Sequence, residues 1–164
     1  MSESTDVRKV RRAVALLRIT LGVIILFTWW DNFQKGIYTA DGLQGLFNWI
    51  FDETGWGTFF GYKNIIQSTI LQFPAAFAAF QMIAEFLMGL GLLVGGLTRL
   101  AALGALFFFL NLFFAFLGGS EWIWTYVLLT MSSLVVFLTY AGRELGFDRY
   151  ILKRRGTPPI PFLW

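Results

Sequence analysis

Apolar residues in this chain gather into four long runs separated by polar breaks. A helix that crosses a bilayer needs about 20 mainly apolar residues. Residues 13–30, 73–96, 98–117 and 122–140 fit that requirement. One long connection, residues 31–72, lies between the first and second runs, and it carries its own pattern. Asp41-Gly42 can start a helix, and Leu43, Leu46, Phe47 and Ile50 then recur at i, i+3, i+4 and i+7. Thr54-Gly55-Trp56-Gly57 breaks that pattern. Phe59, Phe60, Ile65, Ile66, Ile70 and Leu71 follow, with Lys63, Asn64 and Gln67 between them. The spacing predicts one or two short amphipathic helices on the outer surface, as a lid, a docking face or a cap on the bundle.

The whole pattern predicts an all-α integral membrane protein: a four-transmembrane-helix bundle with an outer amphipathic loop, forming one domain over residues 1–155. A Pro-rich tail, residues 156–164, follows. Its Pro158-Pro159-Ile160-Pro161 run favours an extended chain, and Phe162 and Trp164 could touch the membrane face or a partner.

Charge sets an expected orientation. Of the 13 Lys and Arg residues, all but Lys35 and Lys63 fall on one side if four helices span. The excess comes from Arg8, Lys9, Arg11 and Arg12 before the first run, Arg99 in the turn between the second and third, and Arg143 to Arg155 after the fourth. Lys and Arg concentrate on cytoplasmic loops, so both termini are expected in the cytoplasm of a prokaryotic cell, with the chain multi-pass in the plasma membrane. The net charge of +3 therefore marks topology and anionic lipid headgroups as partners rather than nucleic acid. Trp29, Trp30, Trp49, Trp56, Trp122 and Trp124 would then lie at the outer interface, where indoles prefer to sit. No small-residue cleavage site follows the first run, which reads as an uncleaved signal anchor.

Composition removes several chemistries. Only 14% of residues are charged and 57% are hydrophobic, against about 25% charged in an ordinary soluble domain. The chain has no His and no Cys. Disulfides, thiolate or imidazole metal sites and the usual haem ligands are therefore excluded from it, so no metal or haem is expected on this chain. Any proton chemistry falls to carboxylates, Tyr, Lys, Arg or amides.

Ionisable groups at membrane depth cost at least about 2.5–3.5 kcal/mol on insertion scales, so each needs a reason. Glu85 is the deepest, roughly 18 Å from either end of its run at 1.5 Å per residue. Gln81 lies four residues earlier on the same face. Together they read either as a proton-handling or hydrogen-bonding site facing a cavity, or as a polar clamp to a neighbouring helix. Arg18 lies about 7–8 Å inside the cytoplasmic edge. It can pair with Glu85 or snorkel back to the headgroups. Asn111, among Phe107, Phe108 and Phe114, can bond across helices or contact a ligand. Gly91 and Gly95, with Ala101, Gly104 and Ala105, offer close helix packing.

The stretch Ile83-Ala84-Glu85-Phe86-Leu87-Met88-Gly89, running through Gly91, Gly95-Gly96-Leu97-Thr98-Arg99 and Ala101, resembles the acid, Gly-rich helix and Thr-Arg turn of the DoxX family of four-helix membrane proteins. Phe73-Pro74-Ala75-Ala76, Leu110-Asn111-Leu112-Phe113, and Ala141-Gly142-Arg143 with Gly146-Phe147-Asp148-Arg149-Tyr150 are similar to its DoxD branch. That branch includes the small subunit of thiosulfate:quinone oxidoreductase. Leu17-Arg18-Ile19 and Trp30-Asp31-Asn32-Phe33 resemble the start of the family pattern. Asn32 stands where a Lys is usual, with Lys35 nearby. The resemblance implies a membrane subunit of a quinone-linked oxidoreductase assembly, with quinone as cofactor. Arg18, Gln81, Glu85, Asn111 and Arg99 would be its ligand-binding or proton-handling residues, with redox or respiratory subunits as partners and homo-oligomers open. An accessory scaffold of a respiratory complex is the second reading. A small transporter or lipid-binding protein is the third.

Overall fold

The computed structural model describes residues 2–54 and 61–155. The expected break at Gly55-Trp56-Gly57, the pair Phe59-Phe60 and the tail 156–164 lie outside the described residues. Within them the regular structure is helical. The helices are α1 (Ser2–Gln34), α2 (Ala40–Thr54), α3 (Tyr62–Ser68), α4 (Pro74–Val94), α5 (Thr98–Phe116), α6 (Trp124–Leu138) and α7 (Phe147–Arg155). Short 3-10 turns at Ile70–Gln72 and Ala141–Arg143 link them.

Three of these, α1, α4 and α5, are long and apolar enough to cross a membrane. Only 22% to 33% of their most apolar windows is buried inside the bundle. Side chains such as Phe27, Phe80, Ile83, Leu87, Phe107 and Leu128 point outward and exposed. A soluble monomer rarely shows so large an apolar surface, whereas a bilayer supplies its matching solvent. The protein is a multi-pass membrane protein.

Two boundaries differ from the sequence expectation. α1 begins at Ser2 rather than near residue 13 and spans 33 residues, because the basic segment Arg8–Arg12 holds no breaker and continues the same helix. The fourth run forms a 15-residue helix, α6, about 22 Å long, instead of filling 122–140. Tyr140 takes a left-handed conformation (φ 52°) and starts the turn that ends the run.

The bundle is built from two tight pairs, α1 with α4 and α5 with α6, while α4 and α5 touch each other less. Leu21, Ile25, Leu92, Ala102, Ala105, Phe109 and Val136 form the central core. The α1–α4 pair closes where a Cβ has no room: one on Gly22 would lie 2.5 Å from the Leu93 nitrogen, and one on Gly89 would lie 2.7 Å from Leu26. Gly91 meets Ala101, and Gly104 meets Met88, across α4 and α5. The small residues thus serve packing within the bundle, and Gly22 and Gly89 matter more than the Gly91–Gly95 spacing suggested. Gly95 instead ends α4 in the left-handed region (φ 70°).

The connection after α1 is folded rather than loose. Gly36, at φ 70°, forms a Schellman reversal: its N–H bonds the Phe33 carbonyl, and the Ile37 N–H reaches the Asn32 carbonyl. Thr39 then caps α2, its Oγ1 accepting the Gly42 N–H at 3.0 Å. Leu43, Phe47, Ile50 and Phe51 of α2 are buried in a second core with Ile66, Ala78, Ala115 and Phe116. The expected amphipathic helix is therefore present, and its apolar face is already covered by α4 and α5.

Candidate functional site

The reversal at Gly36 brings Tyr38 back over the end of α1 and onto α4. Its hydroxyl donates to Glu85 Oε2 at 2.6 Å. Gln81, one turn before Glu85, donates through Nε2 to Oε1 at 2.8 Å, and Asn32 at the end of α1 approaches Oε2 at 3.5 Å. Glu85 is 1% exposed, so its carboxyl meets neutral donors from α1, the α1–α2 turn and α4. Burial and the contact with the Glu85 carboxylate push the Tyr38 phenol well above its ordinary range, while its Asn32 contact acts in the opposite direction. The phenol therefore stays a neutral donor. Trp29 fixes the same level of α1 to α4 by donating to the Met82 carbonyl at 3.0 Å.

Glu85 and Gln81 sit at the edge of a cleft of about 800 Å³ between α4 and α5. Its walls are apolar and aromatic, with Phe77, Phe80, Met88, Phe107 and Phe108 among them, and α2 contributes Phe47 and Ile50. Asn111 of α5 lines the same cleft. Counting back from the α2 end, Gln81 and Asn111 lie at about 10 Å and 8 Å depth. Tyr62 of α3 donates to Asn111 Oδ1 at 3.2 Å. Burial raises the Tyr62 phenol to about 12, partly offset by the Asn111 contact. Three of the five expected site residues thus share one cleft.

The other two do not. Arg18 is fully buried (0% exposed), yet it neither pairs with Glu85 nor reaches the headgroups. It turns toward the opposite end of the bundle, where Nη2 donates to the Leu145 carbonyl at 2.9 Å. Its guanidinium packs on Gly95 and Gly146, where any Cβ would collide with Nη1. Asp148 of α7 adds a nearby negative charge. That carboxylate also caps α5, accepting the Leu97 N–H at 2.9 Å and the Thr98 N–H at 3.1 Å. Arg99 lies at the surface of this same end, stacked over Phe137 and Tyr140 at 4.7 Å and 4.4 Å and bonded to the Tyr140 hydroxyl.

Sequence reasoning missed Tyr38, Tyr62 and Asp148 as partners. Lys35-Gly36 after an apolar run does signal a helix end with a reversal, which would have put the next residues back against the bundle. No comparable local signal ties Tyr62 to Asn111 or Asp148 to the α4–α5 turn, because those contacts span 49 and 50 residues. Among the described residues, no three His, Cys, Asp or Glu side chains gather.

A family model described as DoxX matches residues 13–118, from within α1 to just beyond the end of α5. No solved structure matches the chain.

Proposed function

The chain belongs to the DoxX family, a membrane family associated with quinone oxidoreductase-related functions, and from that premise we propose that it is the membrane subunit of a quinone-linked oxidoreductase assembly, nearest the DoxD branch. The observation that carries the reading is the α4–α5 cleft. At about 800 Å³ it falls in the range of small-molecule sites, about 300–1,000 Å³. Its aromatic and aliphatic walls suit a flat ring with an isoprenoid tail, and its polar groups converge near the α2 end. Such an amphipathic ligand needs this division of apolar length and polar head.

A bound quinone would supply two-electron, two-proton acceptor chemistry. The residues of this chain hold and orient it. Asn111, its carbonyl oxygen engaged by Tyr62, offers its N–H₂ to a ring oxygen. Glu85 provides the proton-handling carboxyl, held in place by Gln81 and Tyr38. With no His or Cys in the chain, electrons come to the site from a partner subunit.

The same reading places α6 across the membrane as the fourth span, since it pairs closely with α5 and is a predominantly apolar helix without a charged residue. The basic residues then put both termini in the cytoplasm of a prokaryotic plasma membrane. The covered apolar face of α2 counts against the loop as a primary docking face for a scaffold.

Titration of purified protein with a short-chain benzoquinone tests the proposal. Saturable one-site binding is expected, with the quinone protecting cleft residues from lipophilic labelling. Purely linear partitioning, identical to that of empty detergent micelles, would reject it.

A further inference from the structure

Glu85 presents its two oxygens to two different places. Oε1 is bonded to Gln81, which lines the α4–α5 cleft. Oε2 is bonded to Tyr38, a half-buried residue of the α1–α2 turn that reaches the surface at the α2 end. Between α1 and α4 the path toward the other end is closed, and the α4–α5 cleft, which continues that way to Gly96, Leu97 and Leu100, is walled there by apolar residues with no proton-carrying side chain. Leu21, Ile25 and Leu92 are 1%, 1% and 0% exposed, and Gly22 brings the backbones of α1 and α4 together. Arg18 lies beyond that dry layer and bonds away from it.

We infer that Tyr38 is a one-sided proton relay, the side-chain route that connects the Glu85 carboxyl to the aqueous face at the α2 end. The step balances simply. The Tyr38 oxygen takes a proton from surface water as its own O–H proton passes to Glu85 Oε2, so the phenol begins and ends neutral. Glu85 then holds the proton beside the cleft, and the reverse sequence releases it. The groups that face Glu85 are few. α1 gives Asn32, the turn gives Tyr38 and α4 gives Gln81. α5 gives the neutral Asn111 to the same cleft, and α2 gives only apolar Leu46, Phe47 and Ile50. Tyr38 is the titratable one among them, so the proton route through described side chains runs by way of it. Tyr38 acts here as a positioning and relay residue for the site of the preceding section, whose ligand the inference does not need.

The test follows Glu85 itself. Protein is reconstituted in liposomes in one orientation, and a single cysteine introduced at exposed Ser68 reports the sidedness with an impermeant thiol reagent, since the chain has no cysteine. A rapid pH step on one side is followed by the infrared carboxyl band that Glu85→Gln removes. The band should respond when the α2 side is acidified and stay unchanged when the other side is. Tyr38→Phe should slow the response by about tenfold or more. In Tyr38→Ala, azide or formate on the α2 side should restore it, which a purely structural role would not allow. A band that follows the other side, a Tyr38→Phe rate equal to wild type, or the lack of any band removed by Glu85→Gln overturns the relay. If quinone fails to bind while the one-sided, Tyr38-dependent response persists, the relay stands and the quinone reading falls.

Discussion

Arg18 and Glu85 are both ionisable, both buried and both on long apolar helices, yet they are held in opposite ways. Arg18 is fastened by a backbone carbonyl, by two glycines that leave room for nothing else, and by the field of Asp148. The same corner concentrates left-handed non-glycine residues: Leu97, Tyr140 and Leu145. Such conformations cost about 1–3 kcal/mol each and persist only where surrounding bonds over-determine them. Asp148 supplies those bonds to Leu97 and Thr98. Glu85 has no such fastening. Its partners are neutral side chains, and one of them opens on a cleft. A buried charge bonded to a backbone carbonyl and set near a countercharge serves the fold, whereas one held by exchangeable neutral donors beside a cavity remains available for chemistry.

The sharpest way to break this comparison is at the Arg18 corner. Gly95→Ala forces a side chain into a left-handed position and against the guanidinium, and we expect a loss of about 3 kcal/mol or more. Asp148→Ala removes the cap of a strained turn and takes away the negative charge that acts on Arg18, and should cost a similar amount. Unfolding in mixed micelles of increasing denaturing detergent reads both. A corner that tolerates either change with an unshifted midpoint would not be the structural half of the pair.

At Glu85 the balance should invert. Glu85→Gln keeps an acceptor for Tyr38 and should shift the unfolding midpoint by less than about 1 kcal/mol. Turnover of the proposed quinone-linked assembly should nevertheless fall by about a hundredfold or more, the scale of lost proton handling. Glu85→Ala should abolish it while leaving insertion intact.

Asn111→Leu should be milder. Losing one neutral hydrogen bond to the ligand costs about 1 kcal/mol, a weakening of roughly fivefold in quinone affinity. Tyr62→Phe should produce part of that effect, by freeing the amide to turn. The smallest expected signal is a pH effect at Tyr62. Its phenol is raised by burial to about 12, from an ordinary value near 10. The stability that depends on its neutral form is complete below pH about 10 and is lost as the pH rises toward 12. Ultraviolet titration of tyrosinate in wild type and in Tyr62→Phe should differ by one late-ionising phenol.

Much of this architecture is legible in the apolar runs. Their length and spacing locate α4 and α5 to within about two residues and indicate α1, while Leu43, Phe47 and Ile50 foretell α2. Glu85, Gln81 and Asn111 stand out because polar groups at that depth are expensive. What the pattern does not carry is pairing between distant segments. Arg18 could have met Glu85 on helical geometry alone, but Gly95 and Gly146 make a space for it at the opposite end, and Leu145 offers a carbonyl there. Both depend on α7 folding back, which no local signal announces. Tyr38 reaches Glu85 only because Gly36 reverses the chain, and the length of α6 is set by one left-handed residue, Tyr140. Positive-φ conformations at non-glycine residues leave no mark in composition.

The proposed occupant of the α4–α5 cleft is a quinone-like ligand with its polar head toward Glu85 and Asn111. The most direct measurement is photo-crosslinking with a benzoquinone analogue carrying a reactive group on the ring, followed by mapping of the labelled peptides. Saturable labelling of α4 and α5 around Gln81, Glu85 and Asn111 is expected, suppressed by excess unlabelled quinone. Labelling spread over the outward faces of α1 and α6, unaffected by competitor, would contradict it.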